Sequence, residues 1–430
     1  MHSCRRAIML VLTICLWLGS GSQAIAWGRG HRLIRLWAVA HLPQWQRDLI
    51  GQQALGRLCK EYTSLQDKHA GGRAPELDRY CIVPGVRLSL HDVNPAEPSA
   101  RATRWYLDQI AAHLAAEETD EAMKFLGVLC HWNEDPGCPS AHSSPVSEVE
   151  LKLLLPPPAN KERFNYLYGA GGIMDTGDYE IEDVPYEPVL LGRTLDEAVL
   201  RICQRQRLLQ RQAAMHIVPI IQDMMHGDGR KADTHRAAAA LINARHTADV
   251  IYTVLCLSTG RFGVATGTDS QLLTEWLPEF KGGMIPHPYY VTPFLIDQAM
   301  DARRQLHPLK FFDTEPQPRQ GYGMGTPFSL DFILAPGNVF AEFEATVGLH
   351  SRAGPDGAVR FAVVANGEEL ARTDVVKSGD QPVRLRVRLP QVDVLRLSLR
   401  TVAADGSTPG HNLTVWSKPV LLRQTPKPRD

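Results

Sequence analysis

The side chains in this sequence best suited to chemistry are histidines and aspartates at metal-binding intervals. His131 and Asp135 stand four residues apart, which puts both on one face of a helix. Zinc takes nitrogen and oxygen ligands of this kind at about 2 Å. The pair closes the apolar run Phe125-Leu126-Gly127-Val128-Leu129-Cys130, and His142 follows in the loop beyond Pro136 and Pro139. Taken alone, such a pair also occurs as a surface hydrogen bond. A second signal lies near the start of the chain. Arg5 and Arg6, an apolar run from Ala7 to Leu18, and the small-x-small sequence Ala24-Ile25-Ala26 have the form of a secretory signal. The run is short of the roughly 20 residues of a membrane span, so export is expected, to the periplasm or outside the cell. Cleavage after Ala26 makes Trp27 the new terminus. Its free amine and carbonyl can then chelate a metal in a five-membered ring, with His31 one helical turn on.

The elements that must hold these residues are helical. From Gly30 to about Gly260 apolar residues recur every three or four positions, the helical period. The pattern predicts helices over 32–42, 44–65, 103–115, 121–134, 195–225 and 234–257. Thr194 with Glu197 forms a capping box for the fifth. The stretch 153–192, rich in Pro, Gly and Tyr, reads as an irregular loop. After about Pro286 the period drops to 2, as in strands. Val383 to Leu389 alternates apolar and basic, and Leu395, Leu397 and Leu399 alternate in the next strand. Asn366-Gly367 sits between apolar runs as a hairpin turn. The row Arg384, Arg386 and Arg388 fits the solvated outer face of a sheet. The expected organisation is a signal over 1–26, a helical domain over 27–260, a linker over 261–286 and a β domain over 287–430.

With 44% hydrophobic and 22% charged residues the chain is an ordinary globular one. Loss of Arg5 and Arg6 on export takes Lys+Arg from 46 to 44 against 47 Asp+Glu, so the net charge moves from −1 to −3. That balance gives no general attraction to nucleic acid, and no stable nucleic-acid complex is expected. Of 8 cysteines, Cys4 and Cys15 leave with the signal. The rest permit disulfides in an exported protein, with Cys59–Cys81 the simplest local loop.

Three motifs, Trp27-Gly28-x-Gly30-His31, Leu90-His91-Asp92-Val93-Asn94 and His131-x-x-x-Asp135 followed by His142, resemble those of the zinc-dependent phospholipase C and single-strand nuclease superfamily. Members are helical, begin the mature chain with tryptophan and bind three zinc ions. The resemblance implies that Trp27, His31 and Asp135 hold one zinc, and that His91, His131, the bridging Asp135 and an upstream aspartate hold a second. That aspartate is Asp67 or Asp78, which the resemblance also suggests as general base. Asp67 has the closer local context and Asp78 the more usual separation from His91. Trp27 to His31 is one residue shorter than in many members, and Asp135 to His142 one longer. His142 lacks the later His-x-x-x-Asp or His-x-x-x-Glu that should complete a third site. His246 and Asp249 could substitute, but they lie opposite the apolar stripe Leu241, Ala244, Ala248, Ile251 and Leu255, a position that favours solvated residues.

The segment from about His287 to Arg423 resembles the carbohydrate-binding module attached to family-98 glycoside hydrolases, a galactose-binding-like jelly roll. The residues are Gly321-Tyr322-Gly323-Met324-Gly325, Phe343 to Leu349, Val359 to Gly367, and Val415-Trp416. Tyr289, Tyr290, Tyr322 and Trp416 are the aromatics that could stack on a sugar, although a tryptophan in a sandwich is more often core. The expected protein is thus multidomain, an all-α phosphoesterase-like domain followed by a β-sandwich. Its expected activity is hydrolysis of a phosphodiester with two or three zinc ions, the slight acidity favouring a phospholipid head group over an oligonucleotide. A single-strand nuclease and a noncatalytic glycan-binding protein with a degenerate metal site are the alternatives.

Overall fold

A computed structural model describes residues 27, 29–70, 74–86, 98–139, 179–262, 269–278, 294–312, 318–334, 339–392 and 394–423. The first half is helical: α1 (Arg29–Ala40), α2 (Gln44–Ile50), α3 (Gln52–Lys60), α4 (Leu65–Ala70), α5 (Asp78–Cys81), α6 (Pro98–Ala115), α7 (Thr119–Glu134), α8 (Leu195–His226) and α9 (Arg230–Thr259). One helix was expected over 44–65. Gly51 divides it, in a backbone conformation (φ 77°, ψ 152°) that glycine adopts at little cost. The cap at the start of α8 forms: the Thr194 hydroxyl accepts the Glu197 N–H, while the Glu197 carboxylate reaches one residue beyond the cap and accepts the Arg193 N–H. Every residue from Phe125 to Glu134 is buried, which makes α7 the central helix, packed all round. Leu58, Ile110, Met123, Leu126, Leu129 and Ile251 form the core about it.

All six described cysteines are free thiols, so the Cys59–Cys81 bridge is not formed. Cys59 is buried in the helical core, while the Cys81 thiol lies against the Leu65 carbonyl.

The second half is a β-sandwich: β1 (Ser270–Leu272), β2 (Phe294–Ile296), β3 (Gln298–Met300), β4 (Leu306–Pro308), β5 (Gly321–Met324), β6 (Phe328–Leu334), β7 (Phe340–Leu349), β8 (Ala358–Ala365), β9 (Glu368–Arg372), β10 (Val376–Lys377), β11 (Val383–Arg388), β12 (Leu395–Ala403) and β13 (Thr414–Arg423). One sheet runs β11-β7-β13-β5-β2, with β1 also on β13. The other runs β10-β8-β12-β6, with β9 on β8, and β3 pairs with β4 separately. Asn366 and Gly367 turn between β8 and β9 at φ 49° and 88°, the paired positive angles of a type I′ hairpin. The arginine row is exposed as expected, Arg384 and Arg386 reaching diagonally to Glu344 and Glu342 on β7.

The sandwich begins earlier than the sequence reading put it. Ser270–Leu272 pairs with Val420–Leu422, and Leu273 and Trp276 enter the sandwich core. Part of the expected 261–286 linker is therefore structural, held by apolar burial that a three-residue strand is too short to reveal as alternation. One face of α8 docks on the sandwich. Leu200 joins the sandwich core. Glu197 pairs with Arg423 at 2.7 Å, Arg201 donates to Gln271 at 2.6 Å and Gln204 to the Ile333 carbonyl at 3.0 Å. Residues 197, 200, 201 and 204 share a face at helical spacing.

Candidate metal centre

The centre forms where α1, α4 and α7 converge. α7 passes into a 3-10 turn at Asp135–Gly137, so His131 and Asp135 stand one turn apart on the face that meets α1. The His31 and His131 rings stack there, centroids 4.1 Å apart and planes at 23°. The turn Tyr62–Ser64 leads into α4 and Asp67, and it packs against Gly127. A Cβ at Gly127 would lie 2.7 Å from Tyr62 Cβ and 2.9 Å from its carbonyl oxygen, so glycine is what allows this approach.

The partners of the two imidazoles define their chemistry. His131 Nδ1 lies 2.7 Å from the Thr63 carbonyl, which can only accept, so Nδ1 carries the proton. His31 Nδ1 lies 2.6 Å from Glu134 Oε2. In the neutral tautomers both Nε2 lone pairs then face one carboxylate: His31 Nε2 is 3.4 Å from Asp135 Oδ1, and His131 Nε2 is 3.6 Å from Asp135 Oδ2. Asp67 Oδ1 stands 3.5 Å from His131 Nε2. His31 Nε2 is buried without a hydrogen-bond partner. Lone pairs aimed at carboxylate oxygens repel unless a cation lies between them. The spacing suits one, since ligands about 2 Å from a tetrahedral ion lie about 3.3 Å apart. Donor atoms of His31, His131 and Asp135 all fall within 4.8 Å of one another. A proton can take the cation's place. Burial pulls the His31 pKa down, but Asp135 and Glu134 outweigh it and hold it at about 9.

Sequence reasoning missed the groups behind these ligands. Glu134 is fully buried, its carboxylate shared between His31 and Arg35 Nε at 2.9 Å. Arg35, also fully buried, donates to the carbonyls of Gly127 at 2.7 Å and Leu58 at 3.3 Å. Burial alone would raise the Glu134 pKa, yet Arg35 and His31 bring it below the usual range. The Glu134 carbonyl accepts the Trp27 indole N–H at 2.9 Å and the Asn243 amide at 2.7 Å. The one signal for Arg35 was its place four residues after His31 amid apolar neighbours.

Of the remaining candidates, the described ones other than Asp67 fall outside this group. Asp78, exposed, pairs with His69 at 2.9 Å and is not in the group formed by His31, His131 and Asp135. His91 and His142, like Tyr289 and Tyr290, lie outside the described residues. His246 and Asp249 are buried rather than solvated, because α9 is covered on more than its apolar stripe. Both have protein partners, and neither falls in a metal-ligand group among the described residues: Asp249 accepts from Arg205, the Tyr186 hydroxyl at 2.8 Å and the Val189 N–H at 2.7 Å. His246 Nε2 lies 3.2 Å from Asn133 Oδ1. Tyr322 and Trp416 are sandwich core, each 0% exposed, and the Tyr322 hydroxyl donates to the Leu273 carbonyl at 2.6 Å. Neither presents a face to a sugar, because apolar area drives both rings inward.

His246 carries a pH signature. Burial, assisted by Arg205, lowers its pKa to about 3, so the unfolded chain binds a proton there that the folded chain refuses. The folded state loses stability as pH falls below about 6.5, and the loss continues toward 3. His246→Gln is expected to lose about 1–2 kcal/mol less than the parent between pH 6.5 and 5, read by urea unfolding. Parallel curves for both proteins would contradict this.

Comparison with known proteins agrees with the motifs read in the second half: residues 291–422 match the NPCBM/NEW2 domain. No curated protein matches the chain. Among solved structures, the CBM51-2 and INT domains of Clostridium perfringens ZmpB align at 15% identity and a TM-score of 0.27, over 36% of this chain and 31% of that one. The match thus spans less than a third of the ZmpB chain. The CBM51 of a Clostridium perfringens GH95, in complex with methyl-galactose, aligns at 14% identity and a TM-score of 0.27, over 35% of this chain and 99% of that one. An alpha toxin from Clostridium absonum aligns over 92% of this chain and 94% of that one, at 10% identity and a TM-score of 0.31.

Proposed function

We propose that the chain is an exported zinc-dependent phosphodiester hydrolase of the phospholipase C kind, held near a glycan-bearing surface by its β-sandwich. The observation that carries this reading is the buried pair of imidazole Nε2 atoms aimed at both oxygens of one aspartate. His31, His131, Asp135 and Asp67 would hold the metal, with Asp135 bridging if two ions bind and His91 and His142 as further donors. Zinc bound there supplies Lewis-acid polarisation of a phosphoryl oxygen and activation of water near neutral pH. The protein's part is to fix the imidazoles through Thr63 and Glu134 and to shield the site from bulk solvent. Asp67, 34% exposed where His31, His131 and Asp135 are buried, is the carboxylate open to a substrate and suited to take a proton from water. Trp27 is fixed through its indole to the residue before Asp135, which supports a role for its free amine once the signal is removed.

One observation favours a second reading, a glycan-binding protein that keeps metal without turnover: Asp249 is committed to Arg205, Tyr186 and Val189, partners it would have to leave to serve a third site. Zinc stoichiometry on a chain that begins at Trp27, with hydrolysis of a choline phosphodiester and of single-stranded DNA, separates them. The enzyme is expected to hold two or three zinc ions and cleave the choline ester faster. Bound zinc with no cleavage of either substrate would select the second reading. Equal metal content in a chain with residues retained before Trp27 would remove the amine from the ligand set.

A further inference from the structure

We propose that Glu134, clamped by Arg35, is a positioning residue that sets the metal affinity of His31. The proposal rests on the metal-centre reading above. A carboxylate on the far nitrogen of a ligating imidazole fixes its tautomer and raises its basicity, and the loss of such a partner costs roughly 10- to 100-fold in metal affinity. Glu134 does this from full burial, where an uncompensated charge is costly. Arg35 supplies the compensation and is itself pinned to two main-chain carbonyls. A carboxylate serves every donor here. Oε2 faces His31 Nδ1–H and accepts from Arg35 Nη2 at 3.3 Å, while Oε1 accepts from Arg35 Nε–H; an amide has one acceptor oxygen and would turn N–H toward a donor on one side. Because Arg35 offsets Glu134, the described carboxylates left to face a metal are Asp67 and Asp135.

Zinc competition titrations and cobalt-substituted absorption spectra on chains that begin at Trp27 test this, alongside thermal unfolding of the metal-free forms. Glu134→Gln is expected to lower zinc affinity roughly 10- to 100-fold and to shift the cobalt bands. Arg35→Met should destabilise the metal-free protein but leave zinc affinity equal or higher, because it adds negative charge beside the ion. A purely architectural pair would give the two variants the same loss of affinity, and that result, or parental affinity in Glu134→Gln, overturns the proposal. If Glu134→Gln does not fold, the double variant Arg35→Met/Glu134→Gln removes the buried-charge conflict and carries the same affinity test. A parental chain that binds neither zinc nor cobalt defeats the metal-centre reading itself, which is a separate outcome.

Discussion

If the proposed zinc hydrolase reading holds, His131→Ala is expected to abolish tight zinc binding, reduce phosphodiester hydrolysis to background and make the melting temperature indifferent to chelator. His131 Nε2 faces both Asp135 and Asp67, so its loss separates the two carboxylates that a cation would join. Binding that favours the folded state adds RT ln(1 + [L]/Kd), about 4 kcal/mol when zinc is a thousandfold above Kd, and the variant forfeits this term. The parent should melt lower after chelator treatment while His131→Ala melts alike with and without it. Parental zinc content in the variant would remove His131 from the ligand set.

Trp416→Ala unfolds the sandwich rather than weakening a sugar contact. Its ring lies between the sheets, edge-on to Phe361 at 5.6 Å and tilted on Phe343 at 6.4 Å, and deletion of a buried ring of this size costs about 3–5 kcal/mol. Urea or thermal unfolding measures the loss. Any fall in glycan retention should track the unfolded fraction. A variant with parental stability and selectively lost sugar affinity would show that the ring is a binding platform after all. Tyr322→Phe is the milder companion, losing about 1 kcal/mol with the hydrogen bond to Leu273.

The helices and the change to strands were legible because apolar periodicity survives in one dimension. Asn366-Gly367 and the Thr194–Glu197 box were legible because turn and cap chemistry is local. What escaped was decided by distant partners. Gly51 breaks a helix that periodicity carries straight through. α9 reads as amphipathic, yet the chain around Tyr186 and Val189 covers its polar face and buries Asp249. The motif pattern brought His31, His131 and Asp135 to notice, and the same resemblance offered Asp67 beside Asp78. Arg35 and Glu134 are 99 residues apart, and no single-residue pattern pairs two charges that resemble ordinary surface polarity until α1 and α7 cross. Tyr322 and Trp416 were ambiguous because β5 and the start of β13 are buried on both faces, where alternation carries no signal.

The docking of α8 against the sandwich has a mechanical corollary. Helix and sheets share a spine through Leu200, Arg201 and the Glu197–Arg423 pair, so a molecule held by one half would stand at a set radius from the other. A swinging module raises the local concentration of every bond its tether can reach. A braced one presents a narrow shell of them, and the contacts from α8 to the sheets brace this module.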